Sequence, residues 1–167
     1  MPELKPLHPD AIPKALQKAE RYRLLAEPEE AESICLDILA VDPGNQDAKV
    51  MLLLALTDQL RTDGCLECYV RARELVAQFP EGYDRHYYTG IILERRASAQ
   101  LERSGPGVKR NAFNWLQQAM ASYEKAEATR PPHNDDAVLR WNTCVRMIRK
   151  HGLKPAETEG EEPALLE

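Results

Sequence analysis

Three prolines, Pro43, Pro80 and Pro131, each close a helical segment whose small and apolar residues stand in one register. Before Pro43 come Ala31, Cys35 and Ile38. Before Pro80 come Cys68, Ala72 and Leu75, and before Pro131 come Ala119, Tyr123 and Ala126, at identical distances from their prolines. Proline ends a helix because it lacks an N–H and its ring clashes with the preceding turn. Residues three and four apart share a helix face, so all three segments offer the same kind of face to a neighbour. A recurring unit that cannot bury its apolar face alone must stack, which implies a helical repeat array presenting a curved binding surface.

Composition agrees. Charged residues make up 29% and aromatics 6% of the 167 residues, a mix rich in Ala, Leu, Glu and Arg that favours helices. No alternating β-branched run is bounded by turn residues. The net charge of −5 is concentrated at the end of the chain: Lys154 is outnumbered there by Glu157, Glu159, Glu161, Glu162 and Glu167. The remaining body is nearly neutral, which argues against nucleic-acid binding. The longest apolar run, Val50 to Leu56, is too short to span a bilayer, and Met1 to Asp10 lacks the apolar core of a signal peptide. Four cysteines do not make a disulfide scaffold. These features point to a cytoplasmic protein with reduced thiols and no membrane association.

The expected organisation is a flexible start over 1–10, a helical domain over 11–151 and an acidic disordered tail over 152–167. Asp10 is placed to cap a first helix running to about Ala26, with Leu16, Ala19, Tyr22 and Leu24 as apolar contacts. Pro28 opens a second helix ending near Val41, and Asp42-Pro43-Gly44-Asn45 is a turn. A third helix, Gln46 to Leu60, has Leu52, Leu53, Ala55 and Leu56 as its core, and a fourth spans Cys65 to Phe79. A fifth, Gly82 to Arg103, and a sixth, Val108 to Thr129, form a long hairpin with its tip at Gly105-Pro106-Gly107. Phe113, Leu116, Ala119, Tyr123 and Ala126 recur along the sixth at helical spacing. Asn134 caps a seventh helix over 135–150, lined by Val138, Trp141, Val145 and Ile148, and Gly152 suits its C-terminal end. The fold class is therefore all-α, an α-solenoid of antiparallel helix pairs with about seven helices.

These residues resemble the tetratricopeptide repeat family, whose unit is a helix–turn–helix of about 34 residues. Ala19 and Tyr22 match the first helix of unit one, and Ala31, Cys35, Ile38 and Pro43 its second. Gly90 matches the small position in the first helix of unit three, and Ala119, Tyr123, Ala126 and Pro131 its second. Unit two departs at Leu53, where a small residue is expected. Pro43 to Pro80 is 37 residues and Pro80 to Pro131 is 51, so unit three carries a long insertion. The units run over about 11–45, 46–81 and 82–133. The resemblance implies a right-handed superhelix ending in a capping helix, and a non-catalytic adaptor or scaffold needing no cofactor.

It further implies that the first, third and fifth helices line a concave groove. Helical phase puts Leu16, Glu20 and Arg23 there from the first helix. From the third it puts Asp47, Val50, Leu54, Thr57 and Asp58, and from the fifth Asp84, Tyr87, Ile91, Glu94 and Arg95. An apolar centre (Val50, Leu54, Tyr87, Ile91) with a charged rim suits a peptide or partner helix carrying apolar anchors. The acids Glu20, Asp47, Asp58, Asp84 and Glu94 would favour basic residues beside those anchors. The places that grip C-terminal carboxylates in one family subclass hold Leu16, Glu20, Met51, Asp84 and Tyr88, which cannot do so. The competing arrangement is a groove covered by the seventh helix or by the tail. The tail itself reads as an inert solubilising segment, or as one that reaches back into a groove of its own or a neighbouring copy.

Two alternatives come from other classes. Cys65 and Cys68 form a CxxC at a helix start, the setting of a redox pair or half a zinc site. No second CxxC exists, His86 is the nearest further candidate, and Cys68 falls where the repeat wants a small buried residue. The other alternative is a structural subunit that self-associates as a homodimer through the long hairpin. The hairpin tip, with Arg95, Arg96, Arg103, Lys109 and Arg110, reads as a solvated basic end or as a dock for an acidic surface. Trp115 and Trp141 read as packing. Cys65→Ser is expected to leave stability and binding unchanged; stoichiometric zinc in the native protein, found by elemental analysis, would overturn that expectation.

Overall fold

The computed structural model describes residues 1–63 and 66–155, with the side chains of 61–63 left aside. Among the described residues there are seven α-helices and no strand: α1 (Ile12–Leu24), α2 (Pro28–Val41), α3 (Gln46–Asp63), α4 (Leu66–Val76), α5 (Tyr83–Leu101), α6 (Val108–Ala128) and α7 (Asp136–His151). Each helix packs against the next, and α1, α3, α5 and α7 also touch in succession. Antiparallel pairs are thus stacked side by side in a solenoid-like all-α arrangement. Among the described residues no helix is long and apolar enough to cross a membrane.

Turn chemistry sets the corners. Asn45 N–H donates to the Asp42 carbonyl at 3.1 Å, closing the turn at Pro43, and the Asn45 side-chain oxygen accepts from Ala48 N–H at 2.9 Å. That bond satisfies one of the orphan donors at the start of α3. Between α1 and α2, Glu27 N–H donates to the Tyr22 carbonyl and Ala26 N–H to that of Arg23, with Ala26 at φ 60°. This is a Schellman closure with alanine where glycine is usual. α7 starts one residue later than expected, so its N-cap is Asp135, which makes no side-chain capping bond; Asn134 Oδ1, one residue before it, accepts from Asp136 N–H at 2.9 Å, and Gly152 closes the helix at φ 58°. Asp10 does not cap α1. It lies in a 3-10 turn, Pro9–Ala11, where its N–H donates to His8 Nδ1, and Ala11 precedes the helix without a side-chain bond. α4 is shorter than expected because its end tightens: Gln78 and Phe79 N–H donate three residues back to Leu75 and Val76.

The three sets that share a register, Ala31-Cys35-Ile38, Cys68-Ala72-Leu75 and Ala119-Tyr123-Ala126, are all buried. They belong to a core in two clusters. One joins α1 to α5 around Leu53, Leu56, Ala72 and Phe79; the other joins α5 to α7 around Ile91, Leu116, Tyr123 and Cys144. Leu54 and Tyr88 pack against both, so α3 and α5 are where the halves meet. α3 is enclosed by neighbours and buries Ala48, Leu52, Leu53, Ala55, Leu56, Thr57, Gln59 and Leu60. On α7 the buried residues are Ala137 and Cys144, with Trp141, Met147 and Ile148 packed against the core. Val138 and Val145, expected on this face, are only half-buried, because α7 is rotated toward α5 as well as α6. Leu153, assigned to the tail, is buried, so the folded body extends beyond α7.

Gly90 is the tightest point. A Cβ there would meet the Tyr123 ring at 2.4–2.8 Å. In an exposed helix Gly→Ala gains roughly 1 kcal/mol from propensity. Here the overlap should outweigh that gain, and Gly90→Ala is expected to cost about 1–3 kcal/mol in urea unfolding. A variant more stable than wild type would show that α5 and α6 are not packed this way.

Candidate partner-binding face

The helices α1, α3, α5 and α7 stand parallel because each is separated from the next by one antiparallel partner. Their common face brings Arg23, Asp58 and Arg95 together from three helices. Arg23 Nε donates to Asp58 Oδ2 at 2.8 Å and Arg95 Nη1 to Asp58 Oδ1 at 3.2 Å. Beside them a cleft of about 210 Å³ is lined by Glu20, Arg23, Leu24, Ala26, Pro28, Asp58 and Arg95. Leu24, expected to pack inward, is instead 82% exposed at its mouth. Leu16, Val50, Leu54 and Tyr87 are half-buried; Val50, Leu54 and Tyr87 pack against the core and show only part of their surface to the face.

Three expected groove residues do not line it: Thr57 is 0%, Ile91 2% and Glu94 5% exposed. α7 lies against α5 at this level, and Glu94 is occupied by its neighbours: Tyr123 Oη donates to Glu94 Oε2 at 2.6 Å, and Arg140 Nε lies 3.4 Å from the same oxygen. The covered-groove arrangement therefore holds for the α5–α7 half, while among the described residues the α1–α3 half is uncovered. Burial is the strongest single influence and works against the Arg140 charge, but Glu94, Tyr123 and Tyr87 together outweigh it and move the pKa up. For Arg95 burial wins and the pKa is lowered, with Asp58 opposing. Both remain cations at neutral pH, since arginine titrates far above it.

Of the five acids expected to greet a basic partner, Asp58 and Glu94 are already paired with arginine. Glu20, Asp47 and Asp84 are exposed. Arg140 escapes the sequence reading because that reading gives the seventh helix a capping or covering role and assigns none of its side chains to the face. The signal was its place as the fourth odd-numbered helix, which puts it on the same face as α1, α3 and α5.

An aromatic ladder occupies the start of α5. Tyr83 stacks on Tyr87 at 5.5 Å, Tyr87 meets Tyr88 edge-on at 5.1 Å, and Tyr88 meets Phe79 at 5.9 Å. Tyr83 Oη donates to Asn134 Oδ1 at 3.2 Å, tying the ladder to the turn before α7.

The basic hairpin tip loses two members. Arg95 is held by Asp58, and the Arg96 guanidinium lies between the Tyr69 ring of α4 (4.2 Å) and the Trp115 ring of α6 (4.8 Å). This cation–π sandwich spans the two helices across α5. Arg103, Lys109 and Arg110 remain exposed. Trp141 packs against the core and its Nε1 donates to Glu124 at 3.1 Å. Cys65 lies outside the described residues. Cys68 is buried and its thiol donates to Gln59 Oε1 at 3.5 Å, while His86 Nε2 lies 3.2 Å from Glu81 Oε1.

Burial pushes the Cys35 and Cys144 thiols up to about 12, from 9.0, and the Tyr83 and Tyr88 phenols up to about 12, from 10.0. The folded state therefore keeps protons that the unfolded chain releases first. Stability from this source is fully present below pH 9 and falls as pH rises toward 12. Urea midpoints are expected to decline across that window, and flat midpoints would contradict the burial of these groups. No family model, curated protein or solved structure matches the chain.

Proposed function

We propose that the protein is a non-catalytic interaction module of tetratricopeptide-like type, an adaptor or scaffold of the cytoplasm that binds a peptide or partner helix along its α1–α3–α5 face. One observation carries this reading: a cleft with an exposed leucine beside a polar triad already fixed in place. Asp58 holds two guanidiniums from two other helices, so their orientation is set before any ligand arrives. Preorganisation of this kind lowers the ordering cost of association. Leu24 offers an apolar contact at the rim, and Val50, Leu54 and Tyr87 continue the apolar surface inward. The partner this chemistry fits carries an aliphatic or aromatic anchor, with basic residues that reach Glu20, Asp47 and Asp84.

Leu54 packs against both core clusters, so replacing it would test folding together with binding. Leu24→Glu changes the cleft mouth without touching the core. The expected result of a lysate pull-down is a partner held by wild type and lost by Leu24→Glu, the two proteins having equal circular dichroism. Identical partner sets would move the site off this face, and capture of no specific partner by either protein would count against the adaptor reading.

A further inference from the structure

The opposite face of the solenoid carries a second groove. α4 and α6 both pack on α5 but barely on one another. The Arg96 sandwich bridges the gap at one level only. Elsewhere a groove of about 310 Å³ remains, floored by Val76, Ile92 and Leu93 and flanked by Arg73 on α4 and Lys125 on α6. No residue lining it is acidic. Arg73 spends one N–H on the Tyr69 hydroxyl at 3.2 Å, and Lys125 makes no ion pair among the described residues. The groove thus joins an apolar floor to two cations without a carboxylate partner, and it calls for an acidic segment with aliphatic side chains.

We propose that this groove is the docking site of the chain's own C-terminal segment, residues 156–167, in the same molecule. The segment carries Glu157, Glu159, Glu161 and Glu162, followed by Pro163, Ala164 and Leu165, so its charge is opposite to that of the groove and its aliphatic residues suit the floor. It follows directly on Leu153, which is buried, and Pro155. α7 lies against α6, and α6 is one wall of the groove. Twelve residues reach about 40 Å when extended, against about 24 Å for the length of α7 and about 10 Å for the width of one helix. A tether of this length supplies an effective concentration on the order of 1 mM, enough to fill a site of weak intrinsic affinity.

The test uses a fluorescent synthetic peptide of residues 156–167 and full-length protein. The full chain with Glu157, Glu159, Glu161 and Glu162 all changed to Gln has a vacated groove and is expected to bind the peptide. Wild type should bind it about tenfold more weakly, because its own segment competes at roughly 1 mM against a peptide affinity of about 0.1 mM. Adding Lys125→Glu to the four-Gln chain should abolish binding. Amide NMR shifts on adding peptide should map to α4, α5 and α6, a readout that needs no groove variant to fold. Equal binding by wild type and the four-Gln chain, or shifts confined to the α1–α3 face or to Arg149 and Lys150, would overturn the proposal. So would sedimentation showing that wild type associates through its tail, since the segment would then dock between copies. None of these outcomes depends on whether the concave face has a partner.

Discussion

The packing of Tyr123 into the space left by Gly90 decides how the second half of this protein is built. Only a residue without a Cβ lets the ring lie against the α5 backbone. Once there, its hydroxyl reaches the buried carboxylate of Glu94, and Arg140 approaches that carboxylate from α7. A buried charge without partners would be costly, so the phenol and the guanidinium are needed together. Three helices are thereby fixed by one small absence, one ring and one shared carboxylate. Leu116, Ala119 and Ala126 of α6 are buried around that point.

Polar contacts tie the first half in a similar way but on two opposite faces. On one, Asp58 of α3 receives Arg23 from α1 and Arg95 from α5. On the other, Glu32 of α2 accepts from Gln59 of α3 and Arg71 of α4. Surface ion pairs are individually weak, but these are partly buried and join residues distant in sequence, which fixes helix register as much as it adds stability. They also match the central charges on the α1–α3–α5 face, while Leu24, Glu20, Asp47 and Asp84 stay exposed.

The lengthening of α5 and α6 has a separate consequence. A long hairpin needs its own lateral support, and Arg96 supplies it by entering the space between Tyr69 and Trp115. Because a guanidinium bridges only one level, α4 and α6 stay apart along the rest of their lengths. The groove on that side lies where α4 and α6, both packed on α5, part from one another.

Much of the fold was legible in the chain. Periodicity identified the helices, prolines and Asn45 marked the corners, and the shared register named nine residues that are all buried, because each of these signals is local. The candidate face was legible in part. Arg23, Asp58 and Arg95 were assigned to one surface by phase and do meet there, whereas Ile91 and Glu94 shared the same phase and lie beneath α7. Phase says which way a side chain points from its own helix, but not what stands opposite. Leu24 moved outward and Arg140 moved in for the same reason. The sequence alone determined that the chain is a stack of antiparallel helices with small residues at fixed intervals. Only tertiary structure decided which charges pair, which half of the face stays open and where α4 and α6 part, because those depend on distances between residues that no local pattern encodes.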